Sequence, residues 1–165
     1  METIAVYWEP IVRVYGFDIK ADISLLHLKC PTYSIDTFLS DIEQQAETSP
    51  TFLFCQLQLH APDMAHLYLA AYHDHISDYR KGLEAKGMRN DLMLTAYSPV
   101  DLLFFHGPHF QDRFGIANNV FKTLDPLDIT VHTIGCTGTS IYIVTAGGQA
   151  EKARGMLTEA FAVPL

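Results

Sequence analysis

The stretch Gly107-Pro108-His109-Phe110-Gln111-Asp112-Arg113-Phe114-Gly115-Ile116-Ala117 holds the residue types and spacing best suited to gripping a small molecule. It leads out of an apolar run, Val100–Phe105, into a helix that starts near Ile116. A helix N-terminus presents unpaired backbone N–H groups and partial positive charge, so a carboxylate fits there. Asp112 can hold an ammonium through a charge-assisted hydrogen bond, and Gly115 lets the backbone come close to a ligand. Together these preferences describe a compact ligand carrying both carboxylate and amine. The plainer alternative makes Asp112 a helix cap with no ligand.

Two other chemistries compete. His73-Asp74-His75 follows an apolar run, and His106 and His109 flank Gly107-Pro108. Histidines at alternate positions can chelate a transition metal, which would make the chain a metal sensor using His73, His75, His106 and His109. Solvated turn residues are the simpler reading, because Cys30, Cys55 and Cys136 have neither metal nor redox spacing. Glu9, His109, Asp112 and Arg113 could instead form an acid–base cluster of a small enzyme. No nucleophile elbow, P-loop or metal motif accompanies them. A non-catalytic protein without a cofactor is expected.

The elements that must position these residues come in two copies. Ser24-Leu25-Leu26-His27-Leu28-Lys29-Cys30-Pro31 lies over Asp101-Leu102-Leu103-Phe104-Phe105-His106-Gly107-Pro108. Further on, Leu67-Tyr68-Leu69-Ala70-Ala71 lies over Ile141-Tyr142-Ile143-Val144-Thr145, Arg80 over Arg154 and Leu83 over Leu157. In the second copy, Ile116, Ala117, Val120, Phe121 and Leu124 mark one helix face, which Asp125-Pro126 ends. Ile129, Val131 and Thr133 alternate as a strand, and Ser140–Thr145 gives another. Ala153, Met156, Leu157, Ala160 and Phe161 stripe a last helix.

The first copy repeats this order. Ser34 is placed to cap a helix bearing Ile35, Phe38, Leu39, Ile42 and Ala46. Strands follow at Phe52–Leu59 and Ala65–Tyr72, then a helix around Ile76–Lys86 and a strand at Asp91–Ala96. The order strand-helix-strand-strand-helix-strand predicts an α+β protein of two ferredoxin-like units with antiparallel sheets. The second copy is one strand short. Two N-terminal runs, Ile4–Trp8 and Ile11–Tyr15, are therefore expected to extend or complete its sheet, with an independent edge hairpin as the alternative. The division expected is 1–17 as an N-terminal strand segment, 18–98 as one unit and 99–165 as the other.

Composition narrows the partners. The chain has 165 residues, with 11 Lys and Arg against 19 Asp and Glu, for a net charge of −8. That acidity disfavours nucleic acid and anionic lipid surfaces. No apolar run reaches the ~20 residues that span a bilayer, and the N-terminus lacks the basic region of a signal peptide. A reduced, cytoplasmic protein is expected, with Cys30 and Cys55 as small buried hydrophobes.

Asp112-Arg113-Phe114-Gly115-Ile116-Ala117 resembles the Asp-Arg-Pro-Gly-Ile/Leu turn of ACT domains, small amino-acid-binding regulatory modules. Thr137-Gly138-Thr139-Ser140-Ile141-Tyr142-Ile143-Val144, with Glu151-Lys152-Ala153-Arg154 and Leu157-Thr158-Glu159-Ala160-Phe161, is similar to the C-terminal ACT module of aspartokinases. Phe114 stands where that family has Pro, and the first copy has Cys30-Pro31-Thr32-Tyr33-Ser34 at the loop position, with neither Asp nor Gly. The likeness covers Pro99 to Leu165. It implies a free-standing tandem ACT protein that binds an amino acid of the aspartate family. The ligand would sit on His109, Phe110, Gln111, Asp112, Arg113, Phe114, Gly115 and Ile116, with Thr139 and Ser140 beside them. The partners implied are that amino acid, a second copy in a homodimer, and an aspartokinase or other amino-acid biosynthetic enzyme under control.

Overall fold

A computed structural model describes residues 11–48, 52–60, 62–85, 92–108, 110 and 114–163. Its elements are β1 (Gly16–Pro31), α1 (Ile35–Thr48), β2 (Phe52–His60), β3 (Met64–Ala71), α2 (His73–Ala85), β4 (Met93–His106), α3 (Ile116–Leu124), β5 (Val131–Cys136), β6 (Ser140–Ala146) and α4 (Ala150–Ala160). The strands are hydrogen-bonded in the order β2-β3-β1-β4-β6-β5. The chain divides into two compact units, one spanning Asp22–Val100 and one joining the described residues up to Ala21 to those from Asp101 on.

In the Asp22–Val100 unit, alternation along β1 sends Leu26, Leu28 and Cys30 to one face. Antiparallel pairing sets them opposite Leu69, Leu67 and Ala65 of β3. Phe38 and Ile42 of α1 and Ile76, Tyr79 and Leu83 of α2 close over that face, completing one core. Full burial of a leucine or isoleucine contributes about 1.5–3 kcal/mol. The strand order β2-β3-β1-β4 with both helices in one core is the ferredoxin-like plait.

Two local expectations are corrected here. Ser34 does not cap α1: it closes a 3-10 turn, Thr32–Ser34, and its buried hydroxyl has no hydrogen-bond partner. Cys55 is exposed, unlike buried Cys30. β2 is the outermost strand, so its outward half lacks cover, and Leu57 and Leu59 are exposed with it.

The other unit starts at residue 101 of β4 and runs through α3, β5, β6 and α4. Leu103 and Phe105 of β4, Ile141 and Ile143 of β6, Val120 and Leu124 of α3, and Ala153 and Leu157 of α4 form its core. Chain up to Ala21 joins this unit, and around Arg13 it makes one isolated parallel bridge, to Ala162, in place of the strand expected at Ile11–Tyr15. Val12 and Val14 are buried in the same core. Ala162 N donates to Val12 O and Val14 N to Ala162 O, each at 2.9 Å, and Tyr15 N donates to His106 O at 2.9 Å. Ile4–Trp8 lies outside the described residues.

The sequence also reads as two separate strands what the structure builds as one. Residues 93–96 of the expected strand Asp91–Ala96 fall with Val100–Phe105 on a single strand, β4, which continues through Ser98 and Pro99, while Asp91 lies outside the described residues. Asp101 has a task the sequence did not suggest. It is 4% exposed, and its Oδ2 accepts from Gly148 N at 2.7 Å and Ala150 N at 3.4 Å. It thus satisfies orphan donors at the start of α4, where Gln149 makes no side-chain cap.

Candidate functional site

The loop leaves β4 at Gly107, whose N–H donates to Thr139 O at 3.4 Å. A Cβ here would collide with the carbonyl oxygen of Arg13 and the ring of Phe110, so the position requires glycine. The turn that receives this bond braces itself. Thr137 N donates to Ser140 O at 2.8 Å, and Thr137 Oγ1 accepts from Ser140 N at 3.0 Å and Thr139 N at 3.4 Å. The hydroxyls of Thr139 and Ser140 lie 3.4 Å apart. Gly107, Thr139 and Ser140 are therefore neighbours across one end of the sheet.

The far end of the loop is the N-terminus of α3. Gly115 is its N-cap residue, at φ +85°, and Gly115 O accepts from Asn119 N at 3.0 Å. Nothing lies within 4 Å of a Cβ placed there, so conformation and not crowding selects glycine. The first turn of α3 carries no acidic residue, so no side chain there offsets its partial positive charge. Phe110 and Ile116 are buried in the core, with Phe110 edge-on to Phe105 at 6.1 Å, so what they can offer a ligand is backbone. Phe114 is fully exposed. His109, Gln111, Asp112 and Arg113 lie outside the described residues.

Of the histidines weighed as metal ligands, His73 and His106 have other partners, and His109 lies outside the described residues. His73 Nδ1 is 3.1 Å from Ser24 Oγ and 3.4 Å from Ser98 Oγ, a triangle that ties the start of α2 to β1 and β4. His106 packs its ring near Tyr15, at 5.3 Å. Among the described residues, no three His, Cys, Asp or Glu side chains are grouped as a metal ion would require.

A different histidine cluster does form, in the Asp22–Val100 unit. His27 Nε2 and His66 Nδ1 are 3.3 Å apart, the His60 ring lies 4.4 Å from that of His66, and His27 stacks on Tyr68 at 4.2 Å. Strand register builds it: His27 faces Tyr68, while Lys29 and Gln58 flank His66 from either side. His27 is 39 residues from His66, so no local pattern signals the cluster. Desolvation, then the charges of His60 and Lys29, hold the His66 pKa below its ordinary value. Burial lowers that of His132 in the same direction. The unfolded chain therefore takes up protons from about pH 6.5 downward while folded His66 still refuses them. This contribution to stability is fully present above about pH 6.5 and is lost as pH falls through the depressed folded value. The urea midpoint should drop between about pH 7 and pH 5.5, and His66→Gln should flatten the slope. A wild-type midpoint constant over that window would count against the assignment.

The arrangement as a whole offers backbone donors, two hydroxyls and a positive helix end, all suited to a small anion or zwitterion. No family model matches the chain, and no curated protein matches it. Solved structures do. The regulatory subunit of aspartate kinase from Thermus thermophilus, in its ligand-free form, is similar with a TM-score of 0.72 at 12% identity, covering 90% of this chain and 98% of that one. Aspartate kinase from Synechocystis gives 0.77 at 18% identity, over 96% of this chain and 28% of that one. Escherichia coli aspartokinase III in complex with lysine and aspartate gives 0.58 at 14% identity, over 94% and 35%. The fold is thus that of the aspartokinase regulatory module. No helix among the described residues is long and apolar enough to cross a membrane.

Proposed function

We propose that a fold shared with aspartokinase regulatory modules serves here as a non-catalytic regulatory module that binds a small amino acid of the aspartate family. Binding would control an amino-acid biosynthetic enzyme or the protein's own oligomer, a homodimer. The observation that carries this reading is the Gly107–Thr139 bond, which sets two hydroxyls beside the start of the loop that leads to α3, whose first turn has no acidic residue. In this reading, backbone N–H groups around Phe114–Ile116 take the carboxylate. Asp112 takes the ammonium, and His109, Gln111 and Arg113 line the approach. Thr139 and Ser140 take a polar side chain of the ligand in this reading.

Calorimetry with lysine, threonine and methionine tests it, lysine first because aspartokinase III is solved with that ligand. Asp112→Ala should weaken binding by about 1.5–3 kcal/mol, the size of a hydrogen bond to a charged group. It should cost the fold about 1 kcal/mol if capping is its structural task. Equal affinity with a lowered melting temperature would reduce Asp112 to a cap. Sedimentation of the same samples with and without ligand reads the dimer.

A further inference from the structure

At the opposite end of α3 the core of the same unit opens to solvent. A cavity of about 440 Å³ lies there, walled by Leu124 of the helix, Leu127 and Ile129 of the connection, and Val131 and Ile134 of β5, with Phe121 on its flank. The volume falls in the ordinary range of small-molecule sites, roughly 300–1,000 Å³. Phe121 is 55% exposed, although its position in the helix would suit a core residue. Thr145, directly opposite Val131 in the ladder, has a fully buried hydroxyl with no hydrogen-bond partner.

Two charges stand at this apolar cavity, Lys122 and Asp125. Their spacing is the one that makes ion pairs elsewhere on the surface, as in Lys81–Asp78 and Arg154–Glu151. Here neither side chain has an ion pair among the described residues. Asp125 sits at the C-cap of α3, where the helix dipole is already negative, so a carboxylate adds like charge. The last turn of the helix carries one cation, Lys122, which has no ion pair to Asp125. Lys122, one turn back, is an uncommitted cation within reach of an anion.

We infer that this cavity binds an α-amino acid with a large apolar side chain, of leucine to tryptophan size. The side chain packs against Leu124 and removes the exposed surface of partly buried Ile129 and Ile134 from water. Its ammonium meets Asp125 and the carbonyl end of α3, and its carboxylate meets Lys122. This inference does not depend on the loop before α3 being a ligand site.

The test is an amide-resolved NMR titration of the full chain with L-phenylalanine, repeated with 3-phenylpropionate, phenethylamine and glycine. Phenylalanine should shift the amides of Leu127, Ile129 and Ile134, and each truncated analogue should bind about tenfold or more weakly. Lys122→Ala and Asp125→Asn, both at exposed positions, should each weaken phenylalanine by a similar factor while leaving the spectrum that of a folded protein. No shift at millimolar phenylalanine would overturn the proposal. So would 3-phenylpropionate binding as tightly as phenylalanine, or affinity unmoved in both variants. Shifts confined to residues 114–116 and 139–140 would place the ligand at the loop instead and equally sink this site.

Discussion

Val14→Asp should unfold the unit that contains α3 and α4 while the Asp22–Val100 unit keeps its protection. Val14 is completely buried among the residues that also include Phe105 and Leu157. Its backbone is held as well, donating to Ala162 O. A carboxylate placed there has no cationic partner in that apolar cluster, and an uncompensated buried charge costs about 3–5 kcal/mol. That is a large fraction of the 5–15 kcal/mol by which a domain is stable. Val14→Ala removes two methyl groups and should cost less, roughly 2 kcal/mol. Hydrogen exchange separates the units. The amides of Ile143 and Ile134 should lose protection in Val14→Asp, whereas Leu67 and Leu69 should keep it. Loss at both sets together would mean that the whole chain unfolds cooperatively. Protection unchanged at Ile143 would show that the N-terminal chain is no part of that core.

What tied the N-terminal chain to the second copy was a shortage, although that chain forms an isolated bridge at Arg13 and not the expected strand. The second copy has every periodic element of the plait except its last strand, and sheet edges and core faces seek cover. Ile11–Tyr15 is an apolar run with no other role. The helices were legible for the usual reason, a stripe such as Val120 and Leu124, or Ala153 and Leu157, that recurs at helical spacing. Features that depend on three dimensions were not. Asp101 follows an apolar run like any strand residue, and nothing local announces that Gly148 and Ala150 will donate to it. His27, His60 and His66 meet because three strands pair in one register, which the sequence does not spell out. Ser34 has the right residue type for a cap, but a 3-10 turn before α1 carries its hydroxyl into a buried position instead.

The candidate site divides in the same way. Gly115 was legible, since a glycine just before a helical stripe signals a backbone turn. The reason for Gly107 was not, because its neighbour across space is Arg13, almost a hundred residues earlier. The two glycines should consequently fail differently when given a side chain. At Gly115 there is open space, and the penalty for alanine is the left-handed φ of +85°, worth about 1–2 kcal/mol. Asparagine tolerates that region, so Gly115→Asn should cost less than Gly115→Ala. At Gly107 the added carbon meets backbone on one side, the Arg13 carbonyl, and on the other the Phe110 ring at 2.6 Å. That carbonyl lies between Val12 and Val14, whose backbones bond to Ala162, so it cannot yield without moving them, and Phe110 is itself buried against Phe105. Overpacking of this kind costs about 1–3 kcal/mol and sometimes more. Thermal melts should therefore rank the variants Gly107→Ala, Gly115→Ala, Gly115→Asn, from least to most stable. Gly107→Ala should also speed exchange at the Val14 amide, which Gly115→Ala should leave alone. If Gly107→Ala melted like the wild type, the close approach of Arg13 to the loop would be wrong. The loop would then be shaped without the N-terminal chain.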